Sequence, residues 1–216
     1  MSNIERIPAP FVAPQRLPSP ITVLPAKDVD AIVSTLVLAF SDDPVARWMC
    51  GGSASAHLRD FPRIMRALGQ DCVDADAVDQ AADGAGVALW LPPGAPTDDD
   101  EMQRVVSTAV PRELQADVAA LFTWAHDRSP EGPFWYLSLI GVDPVAKGSG
   151  TGTALLEHRL RRVDEEGVAA FLWSSNPRNI PLYRRHGFDE IDTRIFGSSP
   201  PVTAMARAAR APAVGA

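Results

Sequence analysis

The chain has 216 residues, 46% of them hydrophobic and 22% charged, and a formal net charge of −7. That length and apolar content suit one well-filled domain, while the acidic balance argues against a nucleic-acid partner. No apolar run approaches the ~18 residues of a membrane span, and two cysteines offer neither a disulfide framework nor a metal site. With no apolar leader after a basic start, a metal-free, cytoplasmic protein is expected.

Residues 1–20 carry Pro8, Pro10, Pro14, Pro18 and Pro20, which forbid sustained helix or ladder bonding and predict a flexible tail. The domain proper is expected over 21–206, followed by a second tail over 207–216. Ile21–Leu24 reads as a first strand. Val29, Ile32, Val33, Leu36, Val37 and Phe40 recur at helical spacing and predict an amphipathic helix. Ser41-Asp42-Asp43-Pro44 is a turn and cap leading into a short helix through Trp48, broken by Gly51-Gly52. A further helix is expected over 56–68. Residues 72–82 and 85–91 read as a hairpin turning at Asp83-Gly84, although VDADAVDQ is poor in strand formers. Helices are expected from Asp98–Glu101 and over 112–126.

An apolar strand, Phe134–Val142, then meets a break at Asp143-Pro144. The turn Lys147-Gly148-Ser149-Gly150-Thr151-Gly152 opens directly into a helix over about 150–167, ended by Gly167. Unpaired N–H groups at a helix start, reached through glycines, make an anion cradle. It is neither of two familiar phosphate motifs. Thr153 stands where a dinucleotide fingerprint needs its third glycine, and the Gly-Lys-Ser/Thr ending of a P-loop is missing. A strand at 169–173 follows, then a short helix that Asn176 or Asn179 could cap. Pro181 must lie in its first turn, which favours Asn179. Gly187 ends it, and strands are expected over 188–195 and 201–206.

Lys147-x-x-Gly150-x-Gly152 after a strand, and Asn176, Leu182-Tyr183 and Gly187-Phe188 at a set distance downstream, resemble motifs A and B of the GNAT superfamily of N-acetyltransferases. The wording SNPRNIPLYRRHGF, with VALWLPPG at 87–94, is similar to the puromycin N-acetyltransferase-like branch. The resemblance covers roughly 84–190 in detail. It implies an α/β chain (α+β type) of GNAT fold: a mixed, mostly antiparallel sheet of about seven strands flanked by helices. The fourth and fifth strands splay apart. It also implies acetyl-CoA as co-substrate and the primary amine of a small molecule or peptide as acceptor, by direct attack and with no metal, and homodimers are common among such folds.

By the same resemblance, donor binding falls to Ile140, Val142, Lys147, Gly148, Gly150, Thr151, Gly152, Thr153 and Asn176. Tyr183 would protonate the departing sulfur as a general acid, a role that suits a phenol with pKa about 10. Lys147 stands where the family has Gln or Arg, so its phosphate contact would be a point charge. Gly141 could allow a bulge that aims a backbone N–H at the thioester carbonyl. Arg178, Arg184 and Arg185 could meet a phosphate. Trp173 occupies the place of a glutamate that the puromycin-like branch often carries, so the acceptor pocket is expected to differ. Asp42, Asp43 and Trp48 are acceptor-side candidates, and Asp43, His57, His126 and Glu131 are candidate bases. His158 is expected to be solvated. Residues 1–139 hold 10 Lys/Arg against 19 Asp/Glu, and 140–216 hold 10 against 8. An acidic acceptor half leans towards a cationic acceptor. The reading from another class is a coenzyme A-binding sensor without efficient catalysis.

Overall fold

In the computed structural model, residues 20–210 are described. Residues 1–19 of the first expected tail and 211–216 of the second lie outside them, while Arg207, expected in the second tail, is buried and ends the last strand. The sheet has seven strands: β1 (Val23–Pro25), β2 (Val78–Ala81), β3 (Gly86–Leu91), β4 (Phe134–Val142), β5 (Ala169–Ser174), β6 (Asp189–Arg194) and β7 (Val202–Arg207). Their spatial order is β1-β2-β3-β4-β5-β7-β6, and only the β4–β5 pair is parallel. The helices are α1 (Val29–Ala39), α2 (Pro44–Met49), α3 (Ala54–Asp74), α4 (Asp99–Ala109), α5 (Gln115–Asp127), α6 (Thr151–Glu166) and α7 (Ile180–Arg185). This is the mixed, mostly antiparallel architecture expected of the chain.

Two apolar clusters fill the two faces. One gathers α1 to α5 around Leu36, Phe61, Ile64, Leu89 and Leu121. The other gathers α6 and α7 around Trp90, Trp135, Leu155, Leu156 and Phe188. A buried bidentate pair locks α6 to β2: Arg159 donates from Nε to Asp79 Oδ2 at 2.9 Å and from a terminal nitrogen to Oδ1 at 2.7 Å. His158 joins it, 3.6 Å from Asp79, and is only partly solvated. Trp135 Nε1 donates to Glu166 at 2.6 Å, and its ring lies beneath the Arg159 and Arg162 guanidinium groups.

The register of β4 slips against β3. Leu89 faces Leu139, but Trp90 faces Leu137, so Ser138 is an extra residue. A one-residue bulge moves every later side chain to the opposite face. Trp135 and Leu137 accordingly pack with α6, whereas Leu139, of the same parity, packs with α1 to α3. The expected bulge at Gly141 is thus corrected to Ser138. Gly141 pairs regularly with Val87 and serves close packing: a Cβ there would sit 2.7 Å from Ala39 Cβ and 3.2 Å from Leu36 Cδ2.

Three further expectations change. The strand expected from residue 72 begins only at Val78, because α3 runs on to Asp74 and keeps Cys72 on the buried stripe of Phe61, Ile64 and Met65. β1 starts at Val23 rather than Ile21. Asn179 caps nothing with its side chain, whereas Asn176 Oδ1 accepts from Arg178 N and caps the short 3-10 turn ahead of α7. Pro181 still falls in the first turn of α7, where its missing N–H costs no helix bond. Gly187 (φ +85°) closes α7, with Phe188 N donating to Tyr183 O and Gly187 N to Arg184 O.

Candidate active site

β4 and β5 pair only over Phe134–Tyr136 and Ala169–Phe171. Beyond Tyr136 they diverge, and the β5-facing edge of β4 has no strand partner. Parallel pairing that stops part-way leaves a wedge lined by unpaired backbone groups. The wedge opens into a cleft of about 440 Å3 between the sheet, the α1–α2 loop, the turn before α6, and α7.

All ten residues expected to bind donor or act on it border this cleft, from Ile140 and Val142 through the Lys147–Thr153 turn to Asn176 and Tyr183. Gly148 (φ +84°) and Gly150 (φ +94°) are both left-handed, a conformation that would strain any residue with a Cβ. The N–H groups of Gly148, Gly150, Gly152 and Thr153 find no acceptor among the described residues, although Thr151 N is held by Ser149 Oγ at 3.4 Å. Four unpaired donors at the start of a 16-residue helix fit a pyrophosphate, and the wedge fits an extended amide chain. Lys147 stands at the rim, its Nζ 3.3 Å from Asp42 Oδ1. Of the three arginines, only Arg185 borders the cleft. Arg184 pairs with Glu190.

Tyr183 is 5% exposed. Burial, helped by the Asp43 carboxylate, holds its phenol protonated well above the usual tyrosine range. Asp43 is itself buried, and desolvation raises its pKa. Its Oδ1 caps α2 by accepting from Val45 N and Ala46 N, and its Oδ2 takes the Ser175 hydroxyl at 2.7 Å. Asp43, Tyr183 and Phe40 border both the donor cleft and a small inner chamber of about 50 Å3. Leu137, bulged Ser138 and Leu139 form the chamber's β4 wall.

Sequence reasoning missed this chamber. Ser175 gave no signal beyond its place beside Asn176, and Ser138 was one hydroxyl in an apolar run. Other candidates lie elsewhere. Trp48 is buried and donates to Ser198 Oγ at 3.1 Å, so it anchors a loop. His57 is buried against Phe61, with ring centroids 4.4 Å apart, and borders neither the chamber nor the donor cleft. Glu131 is exposed and borders neither. His126 lies at the edge of a third, outer cavity with Trp173. The thiols of Cys50 and Cys72 are buried, which pushes them up to about 11 and about 12, and neither borders the chamber or the donor cleft.

Comparison with known proteins agrees with this geometry. The family model "Acetyltransferase (GNAT) family" matches residues 94–188. An uncharacterised N-acetyltransferase of Schizosaccharomyces pombe is 27% identical over 187 residues, covering 76% of this chain and 71% of the relative. A ribosomal protein bS18-alanine N-acetyltransferase of Escherichia coli is 42% identical over 59 residues, 26% of this chain and 39% of that one. Among solved structures, a "histone acetyltransferase HPA2 and related acetyltransferase" of Corynebacterium glutamicum superposes with a TM-score of 0.62 at 28% identity, covering 91% of this chain and all of that one. Arylalkylamine N-acetyltransferase 2 of Aedes aegypti shares the fold, with a TM-score of 0.61, 13% identity, and coverage of 88% of this chain and 99% of that one. Residues 94–188 thus match the GNAT family of acetyltransferases, and the chain as a whole has the GNAT fold.

Proposed function

We propose that this enzyme moves the acetyl group of acetyl-CoA onto a primary amine of a small molecule by direct attack. The observation that carries the reading is that Tyr183 stands where the donor cleft meets the inner chamber. The Lys147–Thr153 turn would hold the pyrophosphate through its unpaired N–H groups, and the open edge of β4 around Ile140–Val142 would pair with the pantetheine amides. Backbone N–H groups of that edge would polarise the thioester carbonyl.

The amine nitrogen enters from the chamber side and forms the new C–N bond as the C–S bond breaks. Tyr183 gives its proton to the departing sulfur, and the phenolate so formed takes the proton that the new amide nitrogen sheds. A phenol held protonated by burial suits the first half of that exchange. Both cysteines are buried and protonated, which favours direct attack over an acyl-enzyme. A chamber of about 50 Å3 admits a slender aminomethyl head but no ring, which favours a primary amine. Within the family we assign the chain to the puromycin N-acetyltransferase-like branch, with an acceptor altered by Trp173.

Tyr183→Phe tests the assignment. General-acid catalysis contributes about 10²–10⁴-fold, so kcat is expected to fall by at least about 10²-fold while KM for acetyl-CoA stays put. A kcat within about twofold of the parent would remove Tyr183 from the role.

A further inference from the structure

On the far side of the inner chamber lies an outer cavity of about 460 Å3. Leu68, Phe122, Ser138 and Trp173 border both spaces, so the two meet at a neck. The Phe122 and Trp173 rings meet edge to face there, centroids 6.4 Å apart. Beyond the neck the walls are aromatic: Phe134 is edge-on to Phe171 at 6.1 Å, and Tyr136 stacks on Phe171 at 5.9 Å. Such a volume takes a drug-sized molecule, and such walls offer π-faces to flat rings.

The outer end has a different chemistry. Asp71, Asp98 and Asp99 border both this cavity and an adjoining pocket that adds Asp74 and Asp100. None of these five carboxylates forms an ion pair with a lysine, arginine or histidine among the described residues. Among the described residues the Asp71 carboxylate accepts only Asp98 N, at 3.2 Å. Burial first, and then repulsion from Asp98, Asp74 and Asp99, raises its pKa. A cation arriving there would relieve that repulsion.

α3 lays these features out in order. Met65 borders the inner chamber, Leu68 the neck, and Asp71 the acidic mouth. Six residues at about 1.5 Å each separate the first from the last by about 9 Å. We infer that the acceptor is an elongated aromatic amine carrying a second cationic group. Its aminomethyl end passes the Trp173–Phe122 neck to Tyr183, its ring system fills the outer cavity, and its remote cation sits at Asp71, Asp98 and Asp99. The inference rests on the acetyl-transfer reading above, and it adds the class of acceptor. Where the puromycin-like branch often carries a glutamate on β5, Trp173 supplies a ring face, and the acidic contact comes instead from α3 and the start of α4.

The test compares three probe amines by thiol release from acetyl-CoA: a bis(aminomethyl)biphenyl, phenylbenzylamine, which lacks the second cation, and diaminodecane, which lacks the rings. The expected kcat/KM for the biphenyl diamine is at least about tenfold above either of the others. Asp71→Asn, and independently the exposed Asp99→Asn, should bring the ratio of the biphenyl diamine to the monoamine down towards unity. Trp173→Ala should raise KM for both aromatic amines and leave KM for acetyl-CoA unchanged. Diaminodecane matching the biphenyl diamine, or a diamine-to-monoamine ratio untouched by either aspartate variant, would overturn the inference while leaving acetyl transfer intact. If no probe turns over, calorimetric titration of the same amines into the coenzyme A-saturated protein decides it. The same ranking of Kd supports the inference, and no heat from the biphenyl diamine overturns it. Heat from coenzyme A itself reports on the donor site separately.

Discussion

Single residues decide this site through what surrounds them. Asp43 is the clearest case: Oδ1 caps α2 while Oδ2 holds Ser175, which borders the inner chamber with Tyr183, so the cap and the chamber wall share one carboxylate. Gly141 is another. Its missing Cβ lets α1 sit on β4 at the edge of the donor cleft. Gly141→Ala should therefore lower stability by about 1–3 kcal/mol, the usual cost of overpacking. A urea midpoint below the parent's at unchanged m-value would show it, and an unchanged midpoint would mean that α1 yields without cost.

His57 makes a prediction about pH. Both ring nitrogens are buried without a hydrogen-bond partner among the described residues. Burial, with Arg47 adding repulsion, lowers the imidazole pKa in the folded chain. The unfolded imidazole keeps its usual value of about 6.5. As pH falls below that value the unfolded chain takes up the proton first, so this contribution is intact above about 6.5 and is lost below it. The thermal midpoint of the parent should drop further between neutral and mildly acidic pH than that of His57→Phe. Parallel pH curves for the two proteins would clear His57 of any part.

At the scale of elements, the strand, turn and helix over 134–167 were legible and the chamber and outer cavity were not. β4, the glycine turn and α6 lie within a residue or so of their expected bounds, because glycine spacing and helix starts are local signals. The C-terminal end of α3 was misread as a strand, since alternating Ala and Asp mimic a two-residue period while the packing of Cys72 is long-range. The Ser138 bulge left no trace in composition: register belongs to a pair of strands, and the β3 partner lies more than 40 residues away. The aromatic cavity draws its walls from α5, β4 and β5, so only the fold assembles it.

The Arg159–Asp79 pair joins elements that sequence reasoning left unconnected. It is buried on both sides and ties α6, whose first turn opens the donor cleft, to β2. Removing one partner from a buried pair strands the other charge, at a cost of about 3–5 kcal/mol. Asp79→Ala should lose about that much in denaturant unfolding, and a loss below about 1 kcal/mol would show that water reaches Arg159.

For the whole molecule, the sheet acts as a divider with a gap in it. β4 and β5 separate just past Tyr136, and the inner chamber there shares wall residues with the donor cleft on one side and with the outer cavity on the other. The uneven charge fits that layout. The five aspartates of the acidic mouth belong to α3, α4 and the segment before α4, whereas Lys147 and Arg185 border the donor side. Among the described residues no helix is long and apolar enough to cross a membrane.

The central claim is that Tyr183 and the unpaired turn before α6 serve one acetyl transfer to an amine. Its most direct test follows free thiol and acetylated amine together, by colour reaction and mass spectrometry, for the parent and Tyr183→Phe at saturating acetyl-CoA. The account predicts amine-dependent release of one thiol per acetylated amine, slowed by at least about 10²-fold in the variant with coenzyme A binding retained. Tight coenzyme A binding with no amine-dependent thiol release, or equal rates in both proteins, would contradict it.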